Sequence, residues 1–210
     1  MSQVLRSGIF DDDSMIKIRN VRVYDLEESV MASKFPKTVL PDFVSDAITT
    51  TTMKLAQCKP GTGHDNFLQG IRVAFTIDIT VKALVEAERY HFFDIISSTS
   101  TMHMMTQFDL DKCYCKYVDR RAISVMNELI CEYNAMDDND PAKAEKLLNI
   151  LYTNPCGFTY TLRFTTNYRQ LKTIYIQRHD HRIPEWRELC AWIERLPHSE
   201  MITGKRVKSV

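Results

Sequence analysis

From Thr165 to Leu196 the chain reads TTNYRQLKTIYIQRHDHRIPEWRELCAWIERL, two helical periods joined by a short basic turn. In the first, Asn167, Leu171, Ile174 and Arg178 fall within about 60° of one another at ~100° per residue, so an arginine prolongs a stripe that otherwise faces the core. A guanidinium aimed inward needs a partner. One that closes a helix in solvent is favoured by the dipole and the free carbonyls of the last turn, and the pattern leaves both readings of Arg178 open. The second helix opens on Pro184 and carries Trp186, Leu189, Cys190, Ile193 and Leu196 at helical spacing until Pro197 ends the run. Between the two, His179-Asp180-His181 offers two imidazoles without a third ligand, so no metal site is expected.

Immediately upstream, Phe158, Tyr160, Leu162 and Phe164 alternate along a short strand over residues 158–165. Two more strands are expected. In residues 16–24, Ile16, Ile18, Val21 and Val23 alternate with one break that signals a bulge; in residues 71–79, Ile71, Val73, Phe75, Ile77 and Ile79 alternate with polar residues. Helical periods cover residues 42–56, 81–90, 117–133 and 141–152, the last opened by Asp140 as N-cap and Pro141 in the first turn. The loop Lys59-Pro-Gly-Thr-Gly-His-Asp65 has the residues of an ordinary turn as much as those of a phosphate loop. From Ser97 to Thr101 five hydroxyl residues follow an aromatic and aliphatic run, either an exposed loop or a surface that hydrogen-bonds a polar ligand.

The 210 residues suit one domain: a tail over residues 1–14, a single α+β domain over residues 15–203, and a basic tail over residues 204–210. With 27 Lys plus Arg against 27 Asp plus Glu there is no basic field of the kind that binds a nucleic-acid polymer. No apolar run approaches the ~18 residues of a membrane span. The six cysteines include no C-x-x-C pair and read as reduced thiols, so a soluble, cytoplasmic protein is expected.

Together these landmarks resemble the flavin-dependent thymidylate synthases. That family carries Asn-x-Arg-Ser-(Leu/Phe) on a helix ending in Leu-Arg, then Ala-Gln-x-Glu-Ile-Arg on a second; the matching text is Asn167-Tyr168-Arg169-Gln170-Leu171, Gln177-Arg178 and Glu185-Trp186-Arg187-Glu188-Leu189. The family's His-x-Ser-Pro-x-Glu falls on His64 to Gln69, ahead of the strand in residues 71–79. Order and spacing agree over most of residues 16–196. Laid on Tyr90 to Met102, the family signature Arg-His-Arg-x-x-Ser-x-Asn-x-x-Ser-x-Arg keeps His91 and Ser100, while Tyr90, Phe92 and Met102 stand where it has arginines; a shift of one residue recovers Arg89 instead. Leu151 replaces the arginine of the family's Ala-Arg-x-x-Leu-Pro.

The resemblance implies an α+β fold in which a mixed or antiparallel sheet packs with a helical bundle. It implies a homotetramer with sites between subunits, and transfer of a one-carbon unit from methylenetetrahydrofolate to dUMP, giving dTMP, with FAD as hydride carrier and NADPH as electron source. By the same resemblance Arg178 and Ser100 act on the nucleotide, Ser97 and Ser98 line its site, and His64, Arg89, His91, Asn167 and Arg169 surround flavin or folate. The three arginines lost from the signature remove forked donors that phosphates want, so either Arg72, Arg89, Arg120, Arg121 or Arg163 supplies them or the ligand differs from dUMP. A related enzyme placing hydroxymethyl, and a non-catalytic descendant, therefore stay open. Pro155-Cys156 is followed by Gly157 with no adjacent base, which counts against the cysteine nucleophile of the unrelated classical thymidylate synthases.

Overall fold

Five strands, β1 (Gln3–Leu5), β2 (Lys17–Tyr24), β3 (Arg72–Thr80), β4 (Phe93–Ser98) and β5 (Thr159–Asn167), form one antiparallel sheet in the order β1-β2-β3-β5-β4 in the computed structural model, which describes residues 3–5 and 13–205. Within the stretch read as an N-terminal tail, Gln3–Leu5 pair with Val21–Val23; the rest of residues 1–12 and the basic end at 206–210 lie outside the described residues. β3 and β5 pair along their whole length, from Arg72 opposite Asn167 to Thr80 opposite Thr159. Their alternation puts Phe75 against Phe164, rings stacked 5.9 Å apart, on the buried face. The expected bulge in β2 lies between Arg19 and Arg22, where Asn20 takes the left-handed conformation at φ 54°.

The helices are α1 (Leu26–Ala32), α2 (Thr50–Ala56), α3 (Val81–Ala87), α4 (Thr101–Met104), α5 (Leu110–Cys113), α6 (Arg120–Ala135), α7 (Lys143–Thr153), α8 (Tyr168–Arg178), α9 (Pro184–Ile193) and α10 (Glu200–Thr203). α8 and α9 bury Leu171, Ile174, Trp186, Leu189 and Ile193 in one core with the apolar side chains of β2, β3 and β5. A second cluster, Met105, Leu110, Ile123, Met126, Ile130, Ile150 and Phe158, holds the α6–α7 hairpin. No described helix is long and apolar enough to cross a membrane.

Local chemistry shifts several boundaries from the periodic reading. The helix expected over residues 42–56 begins only at Thr50, where Thr49 and Thr52 form a reciprocal capping box; upstream, Pro41–Phe43 make a single 3-10 turn. α7 starts at Lys143 because Asp140 Oδ1 accepts the Ala142 N–H at 2.8 Å in a local turn, so Asp140 is no N-cap. The hydroxyl run is not a free loop: β5 satisfies the backbone of Ser97 and Ser98 as far as Leu162, which draws them into edge strand β4.

Candidate functional site

At its C-terminal end α8 carries Arg178, 6% exposed and turned inward, so the inward reading holds. Its Nε donates to Tyr90 Oη at 2.7 Å, and Nη1 donates to Glu86 Oε2 at 3.1 Å. The same Nη1 lies 2.6 Å from His181 Nε2, and because a guanidinium only donates, that ring nitrogen accepts. The guanidinium carbon sits 4.7 Å from the Trp186 ring centroid and 5.7 Å from that of Tyr90. Burial raises the Glu86 pKa, but the hydrogen bonds from Lys82 and Trp186 and the charges of Lys82 and Arg178 outweigh it and hold the carboxyl below its ordinary value. Burial, then the charge of Arg178, holds His181 below the usual imidazole range.

The N-terminal end of α8 is open. Asn167, in extended backbone where β5 ends, caps the helix by accepting the Gln170 N–H at 2.9 Å. Lys172, only 4% exposed, gives its ammonium to Ala56 O and Cys58 O, both at 2.7 Å, and to Asp65 Oδ2 at 2.8 Å, which ties the glycine-containing loop to the helix. Arg169 Nε is 3.2 Å from Asp65 Oδ1 without hydrogen-bond geometry, so Asp65 Oδ1 remains without a hydrogen-bond partner, as does the buried Gln170 Nε2. These side chains line a cleft of about 170 Å³ with Pro60, Gly61, Gln69, Phe92 and Thr173. A neighbouring cleft of about 350 Å³ shares Gln69 and Phe92 and runs past Arg72, Asp94 and Asn167. The two make one groove, walled by the half-exposed Phe92 ring and carrying Asn167 and Arg169.

The other candidates lie around this groove or away from it. His64 is exposed and lines a separate cavity of about 730 Å³ with Lys34, Leu55 and Phe67. His91 is exposed beside Phe92, and Arg89 is exposed with its guanidinium 4.0 Å from Glu86 at the far end of α8. Ser97 and Ser98 are exposed on β4, and Ser100 caps α4, its Oγ accepting the His103 N–H at 3.4 Å. The Thr99 N–H is bound by Thr161 O, six residues along β5 from Asn167, or roughly 20 Å at ~3.3 Å per residue. Ser97, Ser98, Ser100 and Arg178 are therefore absent from both clefts of the groove. Of the spare arginines, Arg72 reaches it, though it bonds Asp25 at 2.6 Å; Arg120, Arg121 and Arg163 are engaged with Asp111, Asp119 and Asn20 O. No metal-binding group of three or more His, Cys, Asp or Glu occurs among the described residues.

Sequence reasoning missed Asp65, Phe92, Gln170 and Lys172 in the groove and Glu86 beside Arg178. Glu86 sits at i+4 from Lys82, the spacing of an ordinary surface pair, and nothing in a helical period marks Lys172 as buried.

No family model and no curated protein sequence matches the chain. Solved structures do. The flavin-dependent thymidylate synthase of Helicobacter pylori complexed with FAD and dUMP superposes with a TM-score of 0.62 at 14% identity, over 86% of this chain and 94% of that one. A second structure of that enzyme with FAD and dUMP gives 0.63 at 13% identity, over 86% and 93%. The fold is that of the flavin-dependent thymidylate synthases. The UMP/dUMP methylase PolB of Streptomyces cacaoi, bound with 5-Br dUMP, shares it at a TM-score of 0.61 and 15% identity, over 91% and 96%. In the thymidylate synthase fold of this chain, both the sheet and the α8–α9 pair that carried the sequence resemblance are present.

Proposed function

We propose that this chain is a flavin-dependent enzyme that modifies the 5-position of a pyrimidine nucleotide, with dUMP as substrate and dTMP as product. The observation that supports it is the groove at the start of α8, where Asn167, Arg169, Gln170 and Phe92 combine a stacking wall, one partly exposed guanidinium and an orphaned amide donor in a chain with this fold. That donor set fits FAD: Arg169 for a phosphate, Phe92 and Gln170 for a ring and its polar edge, and His91 beside Phe92. Bound FAD supplies hydride chemistry that amino-acid side chains lack. Methylenetetrahydrofolate as one-carbon donor and NADPH as reductant complete the reading.

The separation along β5, roughly 13 Å at Ser97 and roughly 20 Å at Thr99, supports a homotetramer in which Ser97, Ser98 and Ser100 of one copy face α8 of another. Arg178 reaches the pyrimidine by exchanging Glu86 for the nucleotide and then stabilises negative charge on the ring. All six cysteines are free thiols, which supports a reducing cytoplasmic setting. The test is the absorbance spectrum of the purified protein with and without FAD, followed by product analysis with dUMP, methylenetetrahydrofolate and NADPH. A protein that takes up no flavin sinks the reading. The closed pairing of Arg178 favours a second one, a different product or no turnover; the same incubation with dCMP, searched for a hydroxymethylated nucleotide, separates these.

A further inference from the structure

The His181 ring is faced by two donors and can accept from only one of them. Arg178 Nη1 lies 2.6 Å from its Nε2, and the Ile183 N–H points at its Nδ1 at 3.2 Å. A neutral imidazole offers a single acceptor nitrogen, and the protonated ring offers none. Burial and then the charge of Arg178, with Arg89 and Lys82 behind it, disfavour the protonated ring, while Glu86 on α3 favours it. With Nε2 accepting from Arg178, the ring proton sits on Nδ1 and confronts the Ile183 N–H. The closed arrangement thus sets one donor against another.

Beside this ring one carboxylate faces three cations. Glu86 Oε2 is 3.1 Å from Arg178 Nη1, 4.0 Å from the Arg89 guanidinium and 3.8 Å from His181 Nε2, and it accepts the Trp186 Nε1–H at 3.2 Å. Its Oε1 accepts from Lys82 at 2.9 Å. Taking Arg178 away therefore leaves Glu86 paired. Arg178 is also held at a second point, since its Nε donates to Tyr90 Oη, whose own O–H goes to Gln177 Oε1 at 3.0 Å. That bond can keep Nε in place while the Nη end of the guanidinium moves.

We infer that His181 is a positioning residue, a tautomeric latch that sets Arg178 for release to a ligand. When Nη1 swings to a ligand oxygen, the ring proton leaves Nδ1 for solvent and another arrives at Nε2. Nδ1 then accepts the Ile183 N–H, and Nε2–H donates to Glu86 Oε2 across a gap that is 3.8 Å in the closed state. No net proton is gained or lost, and the donor conflict at Nδ1 is gone. The His181 side chain is 25% exposed, which gives water the access this exchange needs. The inference rests on the reading that Arg178 contacts the nucleotide and adds what makes that contact reachable.

Long-range proton–nitrogen NMR correlations on the whole protein with labelled histidine rings show which nitrogen carries the proton, and at about pH 8 the ring is neutral. The His181 signal is assigned by its loss in His181→Ala. In the free protein the proton should sit on Nδ1. It should move to Nε2 on saturation with dUMP, and in Arg178→Met without any ligand. His181→Ala should weaken dUMP binding about 10-fold, and His181→Gln, whose amide can accept from the Ile183 N–H and donate to Glu86, should recover most of that loss. A proton on Nε2 in the free protein, a tautomer unmoved by Arg178→Met or by bound dUMP, or a dUMP affinity indifferent to His181→Ala each overturns the latch. Should Arg178→Met not fold, the dUMP arm on the wild type decides. Failure to bind dUMP removes the nucleotide reading, and the Arg178→Met tautomer then decides the latch alone.

Discussion

At the C-terminal end of α8, Arg178 meets a carboxylate, a phenol, an imidazole and two aromatic faces. At the N-terminal end, Arg169 meets the Asp65 carboxylate at poor geometry, so that its Oδ1 has no hydrogen bond, and in the same cleft the Gln170 amide donor has no partner. Both ends place an arginine near an acid, yet only one encloses it. The difference teaches where to look for function: saturated polar groups hold a fold together, while unsatisfied ones beside open space have their partner elsewhere.

That contrast is strongest under mutation of the closed end. Glu86→Ala strands the Arg178 guanidinium in the core and should cost about 3–5 kcal/mol in urea unfolding, with Glu86→Ala plus Arg178→Met recovering a large part. A loss below about 1 kcal/mol would mean that the two ends do not differ. Next in size is the open end. Arg169→Ala should weaken FAD or nucleotide binding by about 10- to 100-fold in a titration while changing stability by less than about 1 kcal/mol, because the side chain is 30% exposed and its bond to Asp65 is badly aligned. Asn167→Ala removes the helix cap and should cost ~1 kcal/mol, read from the same unfolding curves, with a cavity-side loss of binding as the sharper signal.

The smallest effect is a pH dependence at the closed end. The folded state holds His181 below its ordinary pKa, so the unfolded chain binds the proton more readily. Its contribution to stability is complete above about pH 6.5 and falls away as the pH drops below that value. The melting temperature should decline between pH 7 and 5.5, and His181→Asn should flatten the decline. Glu86, also held low, adds its own loss only below the ordinary carboxylate range, so the two windows separate.

Much of the fold was legible because it rests on local periods. The alternation through Ile71, Val73 and Phe75, and through Leu162 and Phe164, marks strands that are buried on one side, and Pro184 with Trp186 and Leu189 marks α9. The hydroxyl run from Ser97 was ambiguous for the opposite reason: β4 exists through hydrogen bonds to β5, and its exposed side chains carry no amphipathic signature. Half of the groove was legible through Asn167 and Arg169. The other half was not, since the burial of Lys172 depends on two carbonyls from residues 56 and 58, more than a hundred positions upstream.

The sequence by itself determined the strand and helix periods, the place of Arg178 on a stripe with Leu171 and Ile174, and the resemblance carried by Asn167 to Leu189, because each is a property of neighbours within a few turns of chain. Only the tertiary structure decided that Arg178 turns inward and is paired, and that Asp65 Oδ1 and Gln170 Nε2 are left without a hydrogen bond. Hydrogen-bond satisfaction is a sum over partners brought together by folding, and Glu86, Tyr90 and Asp65 lie about ninety to a hundred residues from the groups they meet or fail to meet.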